Sequence, residues 1–322
     1  MATAQTAPLL DPTIQRMLDE IVASGVPPIY TLTPGEARDA LAVFQRVPVA
    51  APPTSVEDTI FPVGPTGSVQ IRIVRPEGVA GQLPVVMYFH GGGWMLGDKQ
   101  THDRLTRELA YGAQAAVVFV DFDRAPESKY PIANEQAYAA TVHVAEQGGN
   151  LGLDPQRIAV AGDSAGGNMA TVVALMAKLR GGPRLVFQLL YYPVTDASMT
   201  QESYTTFAEG FWLTTQAMHW FWDAYLPDRS ARKEITVSPL LATIDELRGL
   251  PPTWMAVSAN DVLRDEGEAY ARKLMHAGVP VACMRYQGTI HDFVMINAIA
   301  ETRAVRAAIA GGADALRTAF HS

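Results

Sequence analysis

Residues 158–168, "IAVAGDSAGGN", decide how the rest of the chain is read. The apolar run Ile158 to Ala161 reads as a buried strand of a parallel sheet, and a helical stretch follows at 165–180. Between them lies Gly162-Asp163-Ser164-Ala165-Gly166. Small residues on both sides of Ser164 let the chain turn sharply enough to push the hydroxyl out at the carboxyl edge of the sheet. A G-x-S-x-G pattern alone is a weak signal. The strand before it and the helix after it supply the context that gives it meaning.

Outward from this turn, apolar strands at 84–89, 115–121, 157–161, 184–192, 252–258 and 280–286 alternate with helical stretches near 101–112, 132–147, 165–180, 262–277 and 299–319. The alternation predicts a mostly parallel sheet with helices on both faces. Ahead of it, "EDTIFPV" and "SVQIRIV" read as two short strands paired antiparallel. Residues 11–46 read as two helices broken at "SGVPPIYTLTPGE", with Thr33 as N-cap, Pro34 at the first helical position and Glu36 completing a capping box. One connection breaks the rhythm: about sixty residues separate Tyr192 from Pro252, far more than usual. They contain "FWLTTQAMHWFWDAYLP", residues 211–227, whose aromatics fit an inserted packed helix and equally a lid over an apolar pocket.

The 322 residues, 48% hydrophobic and 18% charged, suit one large α/β domain with a well-buried core. A net charge of −8 and a pI near 5.4 speak against nucleic acid or an anionic membrane as the main partner. Cys283 is the only cysteine, so no intrachain disulfide forms; in "VPVACMRY" it reads as a small buried hydrophobe. "MATAQTAPLLDPT" has no basic region followed by an apolar core, and no stretch approaches the ~20 apolar residues of a membrane span. These readings predict a soluble, cytoplasmic protein, with self-association into a homodimer left open.

A serine hydroxyl is a poor nucleophile at neutral pH and needs a base. Of seven histidines (90, 102, 143, 219, 276, 291 and 321), His291 in "RYQGTIHDF" follows the last strand, where the order serine, acid, histidine requires the base. His276 and His321 fall on helical stretches. The acid should follow the preceding strand, and "WMAVSANDVLRDEG" puts Asp261 there, with Asp265 and Glu266 as rivals one turn into the next helix. Attack on an ester carbonyl creates an oxyanion that needs preset donors. In "VVMYFHGGGWMLGD", residues 85–98, a buried strand runs straight into three glycines, Gly91 to Gly93. A plain flexible turn would also accept them, but beside the elbow and the late Asp/His pair they read as an oxyanion hole, joined by the N–H of Ala165.

Together these residues resemble the bacterial branch of the hormone-sensitive lipase family, esterases of the α/β-hydrolase fold. The resemblance spans nearly the whole chain, through His90-Gly91-Gly92-Gly93-Trp94, the Gly162–Gly167 elbow, Asp261 and His291. It implies an eight-stranded, mostly parallel sheet with a helical cap, made by about 1–46 and about 197–235 within a single domain of residues 1–322. It also implies Ser164 as nucleophile, His291 as general base and acid, Asp261 as its orienting partner, and Gly92, Gly93 and Ala165 as oxyanion donors, with no metal or cofactor. The chain departs from the family at Asp261-Val262-Leu263, where Asp-Pro-Leu is usual, at Asp292, where a glycine is usual, and at Asp121-Phe122-Asp123-Arg124-Ala125-Pro126-Glu127, where Asp-Tyr-Arg-Leu-Ala-Pro-Glu is usual.

The expected activity is hydrolysis of short-chain carboxylic esters through an acyl-enzyme, in a pocket beside Trp94 and lined by residues such as Phe211, Trp212 or Trp220. The same machinery would serve a deacetylase or a lactonase. A non-catalytic ligand-binding protein on a hydrolase frame, as the plant gibberellin receptors are, would lack the histidine found here at 291. Asp292 admits two readings: an N-cap for a helix starting at "FVMINAIA", or a charge that raises the pKa of His291.

Overall fold

All seven residues from Leu83 to Phe89 are buried, as expected of a strand covered on both faces. In the computed structural model, which describes residues 8–226 and 228–322, this strand lies inside an eight-stranded sheet. The strands are β1 (Thr54–Phe61), β2 (Val69–Pro76), β3 (Leu83–Phe89), β4 (Ala116–Asp121), β5 (Leu153–Asp163), β6 (Phe187–Tyr191), β7 (Thr253–Asn260) and β8 (Val281–Ile290). Their order is β1-β2-β4-β3-β5-β6-β7-β8. The pairs β1–β2 and β2–β4 are antiparallel and all others parallel, which matches the expected fold.

The helices are α1 (Pro12–Ser24), α2 (Pro34–Phe44), α3 (Asp103–Ala113), α4 (Ile132–Gln147), α5 (Ala165–Arg180), the single turn α6 (Ser203–Thr206), α7 (Thr215–Tyr225), the single turn α8 (Ile244–Leu247), α9 (Arg264–His276) and α10 (Arg303–Phe320). α3 packs against α10, and α4 against α5. The predicted capping box at Thr33 is formed: its hydroxyl accepts from the Glu36 N–H, and the Glu36 carboxylate accepts from the Thr33 N–H at 2.8 Å. Several boundaries differ from expectation, among them the start of β5, at Leu153 rather than 157. β8 runs on to Ile290, because pairing with β7 resumes at Asn260–Ile290 past a register shift. α10 starts at Arg303 rather than 299, after a 3-10 turn at Asn297–Ile299.

The strand order places the chemistry. The crossovers from β3 to β4 and from β4 to β5 leave β3 between its two successors, and the carboxyl ends of strands around such a reversal are where ligands bind in open α/β sheets. Phe89 pairs with Gly162, so the loop after β3 leaves the sheet beside the turn after β5. Asn260 pairs with Ile290, so the residues one step beyond, Asp261 and His291, emerge side by side. The N-terminal segment is tied to the same edge. Arg38 of α2 donates to the carbonyls of Met95 (2.9 Å) and Ala125 (2.8 Å), and Gln45 donates to those of Thr101 (2.8 Å) and Met295 (2.9 Å).

Candidate active site

Ser164 sits at φ 55°, ψ −119°, a conformation that non-glycine residues rarely hold without support. The support is local: its N–H donates to the Tyr191 carbonyl at 2.9 Å, and its carbonyl accepts from Asn168 (3.0 Å) and Val194 (3.1 Å). Close packing requires glycine at 166, where a Cβ would collide with the Phe89 carbonyl oxygen. The turn therefore lifts the hydroxyl above the sheet edge. Oγ lies 2.8 Å from His291 Nε2, and His291 Nδ1 lies 2.7 Å from Asp261 Oδ2. Asp261 Oδ1 also accepts from the Leu263 N–H at 2.9 Å, which fixes the carboxylate. All three side chains are buried.

Of the rival acids, Asp265 accepts from the Ser203 N–H at 2.9 Å and pairs with Arg264, while Glu266 accepts from the N–H groups of Thr195 and Asp196. Neither reaches His291. Asp261 is the acid of the cluster.

In the loop after β3, the Gly92 carbonyl accepts from the N–H groups of Met95 (3.1 Å) and Leu96 (2.8 Å). Gly92 and Gly93 take φ values of 104° and 61°, and among the described residues their own N–H groups donate to no protein partner. Ala165 opens α5, so its N–H is also free of the helix ladder. His90, just ahead of the glycines, stacks on Phe122 at 4.2 Å, and burial pushes its pKa down to about 3, so it stays neutral.

The α/β-hydrolase fold family matches residues 86–295. Carboxylesterase NlhH of Mycobacterium tuberculosis is 37% identical over 318 residues, covering 98% of both chains. The crystal structure of a thermostable esterase from Pseudomonas putida is 47% identical, with a TM-score of 0.96, over 98% of this chain and 99% of that one. The chain belongs to the α/β-hydrolase family, among its carboxylesterases of the hormone-sensitive lipase type. It is a carboxylic ester hydrolase. An ethyl acetate hydrolase of Pseudomonas putida is a further relative, 34% identical over 87% of this chain and 89% of its own length.

In this esterase the aromatic residues singled out from sequence occupy different places. Trp94 has no exposed surface; its ring stacks on Tyr225 at 4.3 Å and tilts against Trp222 at 4.7 Å, beneath α7. Phe211 meets Phe207 edge-on, and Trp220 lies beside Phe221. Trp212 packs on Phe44 of α2 at 4.9 Å and donates from Nε1 to Asp292 Oδ2 at 2.9 Å. The ring against the glycine loop is Phe221, which would collide with a Cβ on Gly93. Nothing in the sequence distinguished it from its aromatic neighbours. Tyr192, whose ring centroid is 4.8 Å from that of His291, also escaped the sequence reading.

The N-cap reading of Asp292 is corrected. Residues 293–295 form turns rather than a helix, and the Asp292 carboxylate takes no backbone N–H; it faces Trp212 and His291 instead. Burial by itself would lower the His291 pKa, but the charges of Asp261 and Asp292 outweigh it and raise the pKa above the ordinary value. Burial likewise raises the Asp292 pKa, against the pull of His291. Among the described residues, no group of three His, Cys, Asp or Glu side chains is placed to hold a metal ion.

Proposed function

We propose that the enzyme hydrolyses short-chain carboxylic esters through an acyl-enzyme on Ser164. The observation that carries this is the continuous bonded chain Ser164–His291–Asp261; it is supported by the Gly92 and Gly93 N–H groups of the loop after β3, which among the described residues donate to no protein partner. As Oγ bonds to the carbonyl carbon, its proton passes to His291 Nε2. The carbonyl oxygen takes the negative charge and accepts from the N–H groups of Gly92, Gly93 and Ala165. Asp261 holds the imidazole with its proton on Nδ1 and offsets the positive charge it gains. When the intermediate collapses, Nε2–H protonates the leaving alkoxide and the alcohol departs. Water then repeats the sequence: it gives a proton to Nε2, bonds to the acyl carbon, and releases the acid as Oγ recovers its proton.

Residues of about 1–46 and about 197–235 cover the serine edge as a cap on this reading, of which 1–7 and 227 lie outside the described residues; the Phe44–Trp212 contact between the two segments supports it. A capped pocket limits chain length: each added methylene gains about 0.8 kcal/mol only while room remains. The relative named for ethyl acetate hydrolysis supports a small acyl group. Hydrolysis of p-nitrophenyl esters from two to sixteen carbons is the test, together with mass spectrometry of a phosphonate-treated sample. The expected result is a maximum within roughly two to eight carbons and a single adduct on Ser164. Efficient turnover of long-chain emulsions, or labelling elsewhere, would overturn it.

A further inference from the structure

We propose that Asp292 is a second positioning carboxylate for His291, holding a proton on Nε2 in the resting enzyme that must leave before Ser164 can attack. The proposal rests on His291 being the general base. Asp292 Oδ1 lies 3.3 Å from Nε2, the same nitrogen that faces Ser164 Oγ at 2.8 Å. Asp261 occupies the opposite nitrogen, so the imidazole stands between two carboxylates. Asp292 cannot easily turn away. Its Oδ2 is fixed by the Trp212 indole N–H at 2.9 Å, and its side chain is only 14% exposed. Its backbone is held at φ 62°, unfavourable for a residue with a Cβ.

Oδ1 is buried and has no hydrogen-bond partner among the described residues, His291 Nε2 standing 3.3 Å away. With the ordinary neutral imidazole, protonated on Nδ1, the Nε2 lone pair would face this carboxylate oxygen: two acceptors in contact. Buried acceptors without a donor are costly, and a proton between Nε2 and Oδ1 removes the conflict. The groups around the pair favour retaining that proton. Asp261 faces from the loop after β7, Asp163 from the end of β5, and the neutral phenol of Tyr192 from just past β6. Two further histidines lie behind Asp163: His102 just ahead of α3, whose Nε2 is 3.4 Å from the Asp163 carboxylate, and neutral His90. As pH rises the shared proton passes to solvent. Nε2 is then free to accept the Ser164 proton, and later returns it to the leaving oxygen, so Asp292 undergoes no net change in a turnover.

The consequence is an acid limb of kcat/KM set higher than an isolated histidine would give. The test uses p-nitrophenyl acetate across pH with the wild type, Asp292→Asn and Asp292→Ser. Asparagine keeps an acceptor for Trp212 and removes the charge. Both variants should move the limb downward by about one pH unit. A limb that stays in place or rises overturns the proposal. A wild type with no esterase activity at all would instead defeat the functional reading. A 15N titration of His291 in the wild-type protein needs no variant: Nε2 should remain protonated above the ordinary histidine range, and loss of its proton at or below about pH 6.5 overturns the proposal.

Discussion

The carboxylate of Asp163 accepts the Gly91 N–H at 3.0 Å, so the residue before Ser164 holds the start of the glycine loop. The same oxygen accepts from the Tyr88 hydroxyl at 2.6 Å, and the other oxygen faces His102 Nε2 at 3.4 Å. Ser164 and the loop are thereby referenced to one buried anion, which has no solvent exposure.

Asp163→Asn should therefore lower kcat by about tenfold or more with a smaller change in KM, since it loosens donors needed chiefly in the transition state. Asp163→Ala should cost about 3–5 kcal/mol of stability, because it leaves His102, Tyr88 and the Gly91 N–H without their buried partner. The pH dependence has a definite sign. Burial opposes ionisation of Asp163, but His102 and the donors hold its pKa below the ordinary value; that contribution is present at neutral pH and lost as pH falls. Burial also opposes the charge on His102, but Asp163 raises its pKa overall; that contribution is full below about 6.5 and lost as pH rises through the raised value. The difference in melting temperature between wild type and His102→Gln should be largest in mildly acid solution and shrink toward both extremes. A difference that grows steadily into alkali would contradict the pairing.

Ser164→Ala and His291→Ala should each remove nearly all activity, and the double variant should be little worse, because the residues act as a unit. Asp261→Asn should fall by up to about 10⁴-fold, since the wrong imidazole tautomer is then favoured. Asp265→Asn is the control: its carboxylate accepts from Ser203 at the start of α6, so turnover should survive while the melting temperature drops. Turnover lost at 265 and kept at 261 would exchange their roles.

The sequence carried the strands and the bonded cluster because each had a local signature. Val85 to Phe89 is apolar on both faces, Ser164 lies between strand and helix, and Asp261 and His291 each follow a strand directly. The partners that position them left no such mark. His102 meets Asp163 across 61 positions, and Trp212 meets Asp292 across 80. Contacts of that kind are fixed by how the insertion and α3 dock on the sheet, and no periodicity records it. Asp292 shows the limit most clearly: an acid ahead of an apolar run has the pattern of an N-cap, yet its backbone geometry turns the carboxylate toward His291.

Gly93→Ala should lower kcat by about 100-fold or more while the protein remains folded. Two effects combine: a Cβ would strike the Phe221 ring, and φ 61° strains any residue that has one. Adding Phe221→Ala removes the collision but not the backbone strain, so the double variant should recover part of the activity only. Full recovery would show that the ring alone dictates glycine at this position; no recovery would show that the backbone angle does.

Arg38 joins α2 to two loops at the serine edge, and its value should exceed that of the ion pair it makes. Its guanidinium pairs with Glu127 through both nitrogens, at 2.9 and 2.7 Å, but Glu127 is 62% exposed and solvent weakens the attraction. The same guanidinium donates to the Met95 and Ala125 carbonyls in part-buried surroundings, one on the glycine loop's far side and one after β4. Glu127→Ala should therefore cost less than about 1 kcal/mol. Arg38→Ala should cost about 2–3 kcal/mol, from two lost charge-assisted bonds as well as the pair. The Glu127 pKa is held at about 2, chiefly by the bond from Arg38, so its small contribution persists at neutral pH and disappears as pH falls from the ordinary carboxyl range toward 2. Denaturant titrations of both single variants and the double variant at pH 7 check the division. Equal losses from the two single variants would mean that the Arg38 carbonyl bonds contribute nothing, and that α2 is held to the sheet edge by its apolar contacts and the Gln45 bonds at its end.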